Sequence, residues 1–298
     1  VYLHDIWEPT LIQLALALKK LRKPYIVPIY GCFTDWAINQ KTLKKRLYHF
    51  IAGRRLLENS RFVHAVSQKE YQQALKWAPN SSWIIAPYLF DITTNKKTTF
   101  DCEAIPQVSK SLPSDRFKFL FLSRFHKKKG IELLIDAASK LDANGRRFQI
   151  IVAGVGEKNY TDHLISTVEK RGLTDVISFL GPHFGSKKWA LFQEVDAFIL
   201  PSYSENFGLV LIEAMTYGLP TITTRNVDIW KTLEHGGAQI VDANFESLAL
   251  GMQYFLDIPT GELNLISEDS RNWSIRTFEL NRLVGIFEKI HNLALKDR

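Results

Sequence analysis

The sequence predicts an α/β protein built from two doubly wound units, and three observations carry that prediction. Short apolar runs alternate with amphipathic helical stretches along most of the chain, the pattern of repeated parallel βα units. Runs such as FKFLFL (117–122) and FQIIVA (148–153) are apolar nearly throughout rather than alternating, as strands covered on both faces must be. Between the two sets of repeats lies DITTNKKTTFDCEAIPQVSKSLPSD, residues 91–115, which is polar, lacks a period and reads as an interdomain linker.

In chain order, the front portion gives a strand at VYLH (1–4), a helix over 8–21 and a strand at YIVPIYG (25–31). A long basic helix follows near 40–58, then strands at RFVHAVS (61–67) and WIIAP (83–87). After the linker come FKFLFLS, a helix over 131–141, FQIIVAG, a helix over 159–171, VISFLG and a helix over 187–194. AFILPS, a helix over 208–217, PTITT, a helical piece near 227–234, AQIVD and a helix over 246–256 complete the alternation. A last helix is expected over 274–295, with Ile275, Phe278, Leu283, Ile286, Phe287 and Ile290 at helical spacing. The domains implied are 1–90, the linker 91–115, 116–272, and a packing helix within 273–298.

Bulk properties exclude several classes. The 298 residues, 46% hydrophobic and 23% charged, have an ordinary globular balance and a length suited to about two domains. No apolar run approaches the roughly 20 residues of a membrane-spanning helix. Val1 opens on VYLHDIW, without the basic region and cleavage site of a signal peptide, so it reads as a mid-protein strand and the chain as a fragment lacking its front. Cys32 and Cys102 have neither ligand spacing nor the look of a disulfide framework. Residues 1–100 hold 15 Lys/Arg against 6 Asp/Glu, a net of +9, leaving −2 for the remainder of a chain whose formal charge is +7. That asymmetry points to an anionic partner for the front portion.

The segment PSYSENFGLVLIEAMTYGLP (201–220) carries the chemistry. A buried strand ends there, a polar loop follows and a helix begins, so the loop stands at the carboxyl edge where open α/β sheets bind ligands. Backbone N–H groups near Phe207, Gly208 and Leu209 fall at a helix N-terminus, a favourable place for phosphate. Glu205 lies on the loop and Glu213 about one and a half turns into the helix. Taken alone, two such glutamates are more often structural. A second loop at the same edge, SRFHKKKG (123–130), holds Arg124 and Lys129, with Lys127 and Lys128 expected to face solvent. VAGVG adds Gly154 and Gly156 in a third strand-to-helix turn.

The run P-S-x-x-E-x-F-G-x-x-x-x-E-A-M-x-x-G-x-P closely resembles the donor-site signature of glycosyltransferase family 4, retaining enzymes of GT-B fold with two Rossmann-like domains facing a cleft. The Arg, Lys and following Gly of the 124–130 loop resemble the same family, with Ser123 where Gly is frequent. GCFTDWAINQKTLKKRLYHFIAGRRLL and RFVHAVSQKE look like the acceptor domain of a bacterial surface-polysaccharide branch, although Tyr30 stands where many relatives have His. VISFLGPHFG resembles the family's nucleobase-side segment. The resemblance implies a first domain truncated at its N-terminus. It also implies transfer of a sugar from a nucleoside-diphosphate donor to a glycan or lipid-linked acceptor.

By the same resemblance Arg124 and Lys129 serve the diphosphate, Glu205 the sugar hydroxyls and Glu213 the ribose. Asn206, Phe207, Gly208, Leu209, Gly154 and Gly156 line the donor, and His4 is a minor candidate on the acceptor side. No metal and no cofactor are implied, and the expected setting is cytoplasmic, peripheral at the inner face of the cell membrane. A non-catalytic nucleotide-sugar-binding relative held on a membrane or polyanion is the alternative. A glycosidase pair of carboxylates leaves the Arg/Lys loop unexplained, and no nucleic-acid motif accompanies the basic front.

Overall fold

A parallel three-stranded sheet and a parallel six-stranded sheet form the framework of the computed structural model, which describes residues 1–92, 116–145 and 147–296. Cys102 and all but the first two positions of the 91–115 linker lie outside the described residues. The chain divides into two units, Val1–Asp91 with Leu280–Arg298, and Ile92–Glu279.

In the first unit β1 (Ile26–Pro28), β2 (Phe62–Ala65) and β3 (Trp83–Ile85) lie side by side in that order. The strand expected at 1–4 reduces to one bridge, Tyr2 to Ile26, because Asp5 turns the chain away with φ 68°. Around the sheet run α1 (Thr10–Lys20), α2 (Asp35–Asn39), α3 (Thr42–Tyr48), α4 (Arg54–Glu58) and α5 (Gln68–Leu75). The basic helix expected near 40–58 is α3 and α4 joined by a π-helical turn, His49–Gly53. His49 is buried there, edge-on to Phe33 and Trp77. The slower rotation of the π-turn keeps Leu43, Leu47, Phe50 and Ile51 along one line while Leu56 and Leu57 enter the core.

Ser67 caps α5 by accepting from the Glu70 N–H. The Glu70 carboxylate accepts from Val66 N–H at 2.7 Å and from Gly31 N–H, so one buried side chain ties together the carboxyl ends of β1 and β2.

The second unit contains β4 (Phe117–Leu122), β5 (Phe148–Ala153), β6 (Ile177–Phe179), β7 (Ala197–Leu200), β8 (Thr221–Thr224) and β9 (Gln239–Val241). Their order is β6-β5-β4-β7-β8-β9, all parallel. Phe119, Phe121, Ile150, Ile151, Phe198 and Ile222 are fully buried, as their apolar runs require. Helices α6 (Ile131–Ala143), α7 (Lys158–Lys170), α8 (Ser186–Gln193), α9 (Leu209–Tyr217), α10 (Trp230–His235) and α11 (Phe245–Asp257) link the strands and follow the last one. Winding proceeds outward from β4 in one direction to β6 and in the other through β7 to β9. The order therefore reverses between β4 and β7, which is where such sheets open a crevice.

The single helix expected over 274–295 is instead two, α12 (Thr260–Thr277) and α13 (Leu280–Leu295). Phe278 ends α12 with its ring buried against Phe207 and Trp273, and this anchoring breaks the helical run. The apolar stripe of α13 belongs to the first unit, where Ile290 and Ala294 pack against Ile26 and Ala86.

Candidate functional site

The loops that follow β4 and β7 meet at the reversal point. After β4, His126 caps a 3₁₀ turn, Lys127–Lys129, which Gly130 closes with φ 72°. A Cβ on Gly130 would stand 2.0 Å from the Pro201 carbonyl, so only glycine lets this loop lie against the end of β7. The Tyr203 N–H then donates to the Lys128 carbonyl at 2.7 Å. Held in this way, the Lys129 ammonium forms an ion pair with Glu205, and both side chains are largely removed from solvent.

Of the three consecutive lysines only Lys127 points fully outward. Lys128, expected to face solvent, is half-buried because the tight turn carries it back toward β7. Burial, followed by the charge of Lys129, lowers its pKa. Arg124 is exposed on the same loop. An anion arriving here meets three cations beside one engaged carboxylate.

Gly154 and Gly156 occupy the neighbouring turn. Added Cβ atoms would lie 1.9 Å from the Ser123 carbonyl and 2.4 Å from the Phe125 carbonyl, respectively, so both glycines serve close passage of the β4 and β5 loops. The Gly154 N–H donates to the Gly181 carbonyl at 2.7 Å. A pocket of about 190 Å³ opens beside them, walled by Arg124, Gly154, Pro182, His183, Phe184 and Lys188.

On the other side, Gly208 enters α9 in the left-handed region (φ 73°), and no side chain caps that helix. The N–H groups of Gly208 and Leu209 have no intrahelical acceptors by geometry, whereas that of Leu211 already donates to the Gly208 carbonyl at 2.9 Å. The Phe207 side chain is buried against Phe278, which leaves its backbone as the part at the loop. Asn206 is unusual: both polar atoms of its amide are buried without a hydrogen-bond partner. A ligand that satisfied them would recover a cost of about 1–3 kcal/mol.

Glu213, one and a half turns into α9, forms an ion pair at 2.7 Å with Lys188 of α8, which also sits 4.2 Å from the centre of the Trp189 ring. The sequence reading missed Lys188. Its only signal was a cation shortly after the GPHFG turn. The structure therefore brings together Arg124, Lys129, Gly154, Gly156, Glu205, Asn206, Gly208, Leu209 and Glu213 at one sheet edge, with the Phe207 ring turned inward. His4 belongs to the first unit, exposed beside the rings of Tyr2 and Tyr30. Among the described residues no group of three His, Cys, Asp or Glu side chains could hold a metal ion, and no helix is long and apolar enough to cross a membrane.

Residues 105–273, more than half of the chain, match the family described as glycosyl transferases group 1. The chain belongs to that family.

This group 1 sequence is 25% identical over 252 residues to an uncharacterized 41.2 kDa protein of the cps region of Klebsiella pneumoniae, covering 83% of this chain and 65% of the relative. It is 34% identical over 124 residues to D-inositol 3-phosphate glycosyltransferase 2 of Catenulispora acidiphila, covering 39% of this chain and 29% of that one. The chain thus spans less than two thirds of these relatives' lengths. Among solved structures, HepE of Anabaena in complex with UDP and glucose superposes with a TM-score of 0.81 at 19% identity, over 98% of this chain and 78% of that one. WaaG, a glycosyltransferase involved in lipopolysaccharide biosynthesis, gives 0.71 at 18% identity, over 95% and 81%. These likenesses establish the GT-B fold for this group 1 chain.

Proposed function

We propose that the protein transfers a sugar, with retention of anomeric configuration, from a nucleoside-diphosphate donor to a glycan or lipid-linked acceptor in surface-polysaccharide synthesis. The observation that carries this reading is the Lys129–Glu205 pair at the strand-order reversal, beside the uncapped N-terminus of α9. A doubly charged diphosphate draws Lys129 away from Glu205, and Arg124 with the first α9 amides completes its cradle. Glu205 is then free to accept from a sugar hydroxyl, and Asn206 gains the polar partner it lacks.

During transfer the bond between the anomeric carbon and the phosphate oxygen breaks while positive charge grows on the sugar. The leaving diphosphate takes the electron pair, and fixed cations and amides stabilise it without reorganising. The acceptor oxygen bonds to the anomeric carbon and its proton passes to the departing phosphate. Glu213, steadied by Lys188, faces the ribose. The turn at Gly154 and the Pro182–Phe184 wall take the nucleobase side.

Support for the donor class comes from the HepE structures, which contain UDP, UDP with glucose, or UDP-glucose. The cps-region relative and WaaG support the polysaccharide setting. In this reading the protein belongs to family 4, works in the cytoplasm without metal or cofactor, and rests its basic first unit on an anionic membrane face. Nucleotide-sugar turnover with Glu205→Gln and Glu213→Gln variants tests it. Wild-type rates in both would leave the carboxylates structural and the proposal without its centre.

A further inference from the structure

We propose that the first unit holds an anionic phospholipid on the face formed by α1, α3 and α4, with the phosphate in a basic pocket and an acyl chain in an adjoining groove. This names the partner of the membrane-resting face proposed above and requires nothing of the transfer chemistry.

The basic pocket, of about 630 Å³, lies at the amino-terminal edge of β1 and β2, away from the carboxyl edge that bears His4 and Tyr30. Lys19, Arg22, Lys23 and Arg61 line it, and no described lining residue is acidic. Arg61 gives one nitrogen to the Leu293 and Lys296 carbonyls, while its Nε is buried with no hydrogen-bond partner. Basic residues in the last turn of a helix are ordinarily explained by the helix dipole. That account covers Lys19 and leaves Arg22 and Arg61 unexplained. Arg22 occupies the position after α1 where Schellman ends take glycine, at φ 53°, with the Lys23 N–H bonded to the Leu18 carbonyl. Arginine here carries a strain that glycine would remove, and its guanidinium is what the strain retains at the pocket.

Lys19, Tyr25 and Asn59 also line a second cavity, about 460 Å³, so the two adjoin, sharing a wall where the Lys19 ammonium donates to Asn59 Oδ1 at 3.0 Å. Ile12, Ala15, Leu16, Ile51 and Leu56 form its apolar walls, with Arg55 at the rim. Beyond it the outward stripe continues: Leu43 is 84%, Leu47 61%, Phe50 83% and Ile51 60% exposed. Lys44, Arg46 and Arg54 flank the stripe and are exposed as well. Large apolar side chains this open are unusual unless they meet a partner or a membrane. Free phosphate would account for the pocket alone, and a second protein copy for the stripe alone. An anionic phospholipid in a bilayer accounts for the pocket, the groove and the stripe together.

The test uses the full chain with vesicles of phosphatidylcholine alone or mixed with phosphatidylglycerol, read by co-sedimentation, with a melting curve for each variant. The wild type should partition onto the mixed vesicles only. Arg22→Gly should lower partitioning about fivefold, the effect of one surface cation, while melting no lower than wild type because glycine suits the backbone there. Leu43→Ser with Phe50→Ser, both fully outward, should abolish binding that survives high salt. UDP-sugar binding should be unaltered in all of them, so failure here leaves the transfer reading standing. Equal partitioning onto neutral and mixed vesicles, or full binding by Arg22→Gly, overturns the proposal. So does concentration-dependent dimerisation without vesicle binding that the Leu43/Phe50 pair removes.

Discussion

Replacing Lys129 with methionine removes one partner of an ion pair whose side chains are only 10% and 14% exposed. At contact distance and an effective dielectric near 20, opposite unit charges attract by about 4 kcal/mol. Stranding one member of such a pair typically costs about 3–5 kcal/mol. Glu205 keeps some solvent, so the lower end, about 3 kcal/mol, is the better expectation. For a unit the size of Ile92–Glu279 this corresponds to a fall in melting temperature of roughly 6–12 °C. Adding Glu205→Gln removes the stranded charge and should return all but about 1 kcal/mol. Turnover should respond differently: it should stay about 10²–10³-fold down in both the single and double variants, because the diphosphate has lost a fixed cation in each. Scanning calorimetry of the four members of the cycle, with turnover on the identified donor, separates the two effects. A melting temperature unchanged by Lys129→Met, or stability losses that simply add in the double variant, would refute the buried pair as argued.

Arg124→Ala and Lys129→Ala should each lower turnover by about 10²–10³-fold, and together by less than the product, since both act on one diphosphate; initial rates of the three variants decide it. Glu213→Ala should mainly raise KM for the donor, because a ribose contact is felt nearly equally before and during transfer, whereas a pure kcat effect would contradict that role. Gly154→Ala should cost stability and donor affinity together, its Cβ being 1.9 Å from the Ser123 carbonyl; a titration matching wild type would show that the turn yields. His49 and His64 have lowered pKa values, chiefly through burial, so folding opposes their protonation. The unfolded chain therefore binds more protons, and stability should fall as pH drops below the ordinary value of 6.5, a slope in urea midpoints that His64→Gln should flatten. Turnover should be unaffected by a chelator.

How far the sequence revealed the molecule depended on how local each signal was. FKFLFL and FQIIVA are strands because their apolar runs are short and continuous, and the loops bearing Arg124, Lys129 and Glu205 follow because charge appears after FKFLFL and AFIL stop. The Lys188–Glu213 pair was invisible, since it joins two helices whose packing no local pattern encodes. Nor could three identical residues at 127–129 be told apart: a 3₁₀ turn and the φ of Gly130 decide which of them is buried. The break at Phe278 escaped the periodicity because its cause is the ring of Phe207, 71 positions earlier.

The rim of the six-stranded sheet is laced sideways beyond the last ladder bonds. Phe125 N–H reaches the Val155 carbonyl, Gly154 N–H that of Gly181, Tyr203 N–H that of Lys128, and Asp228 N–H that of Glu205. Loops tied to their neighbours in this manner should resist amide exchange like extra rungs of the sheet, although they carry no strand. An insertion at these positions would break a stitch, and at Glu205, whose N–H also reaches the Asn226 carbonyl, two, whereas an added Cβ at the outer turn of Gly145 meets nothing, so that turn can lengthen freely. The rim therefore sets where this chain can diverge in length: away from the lacing, on the opposite edge.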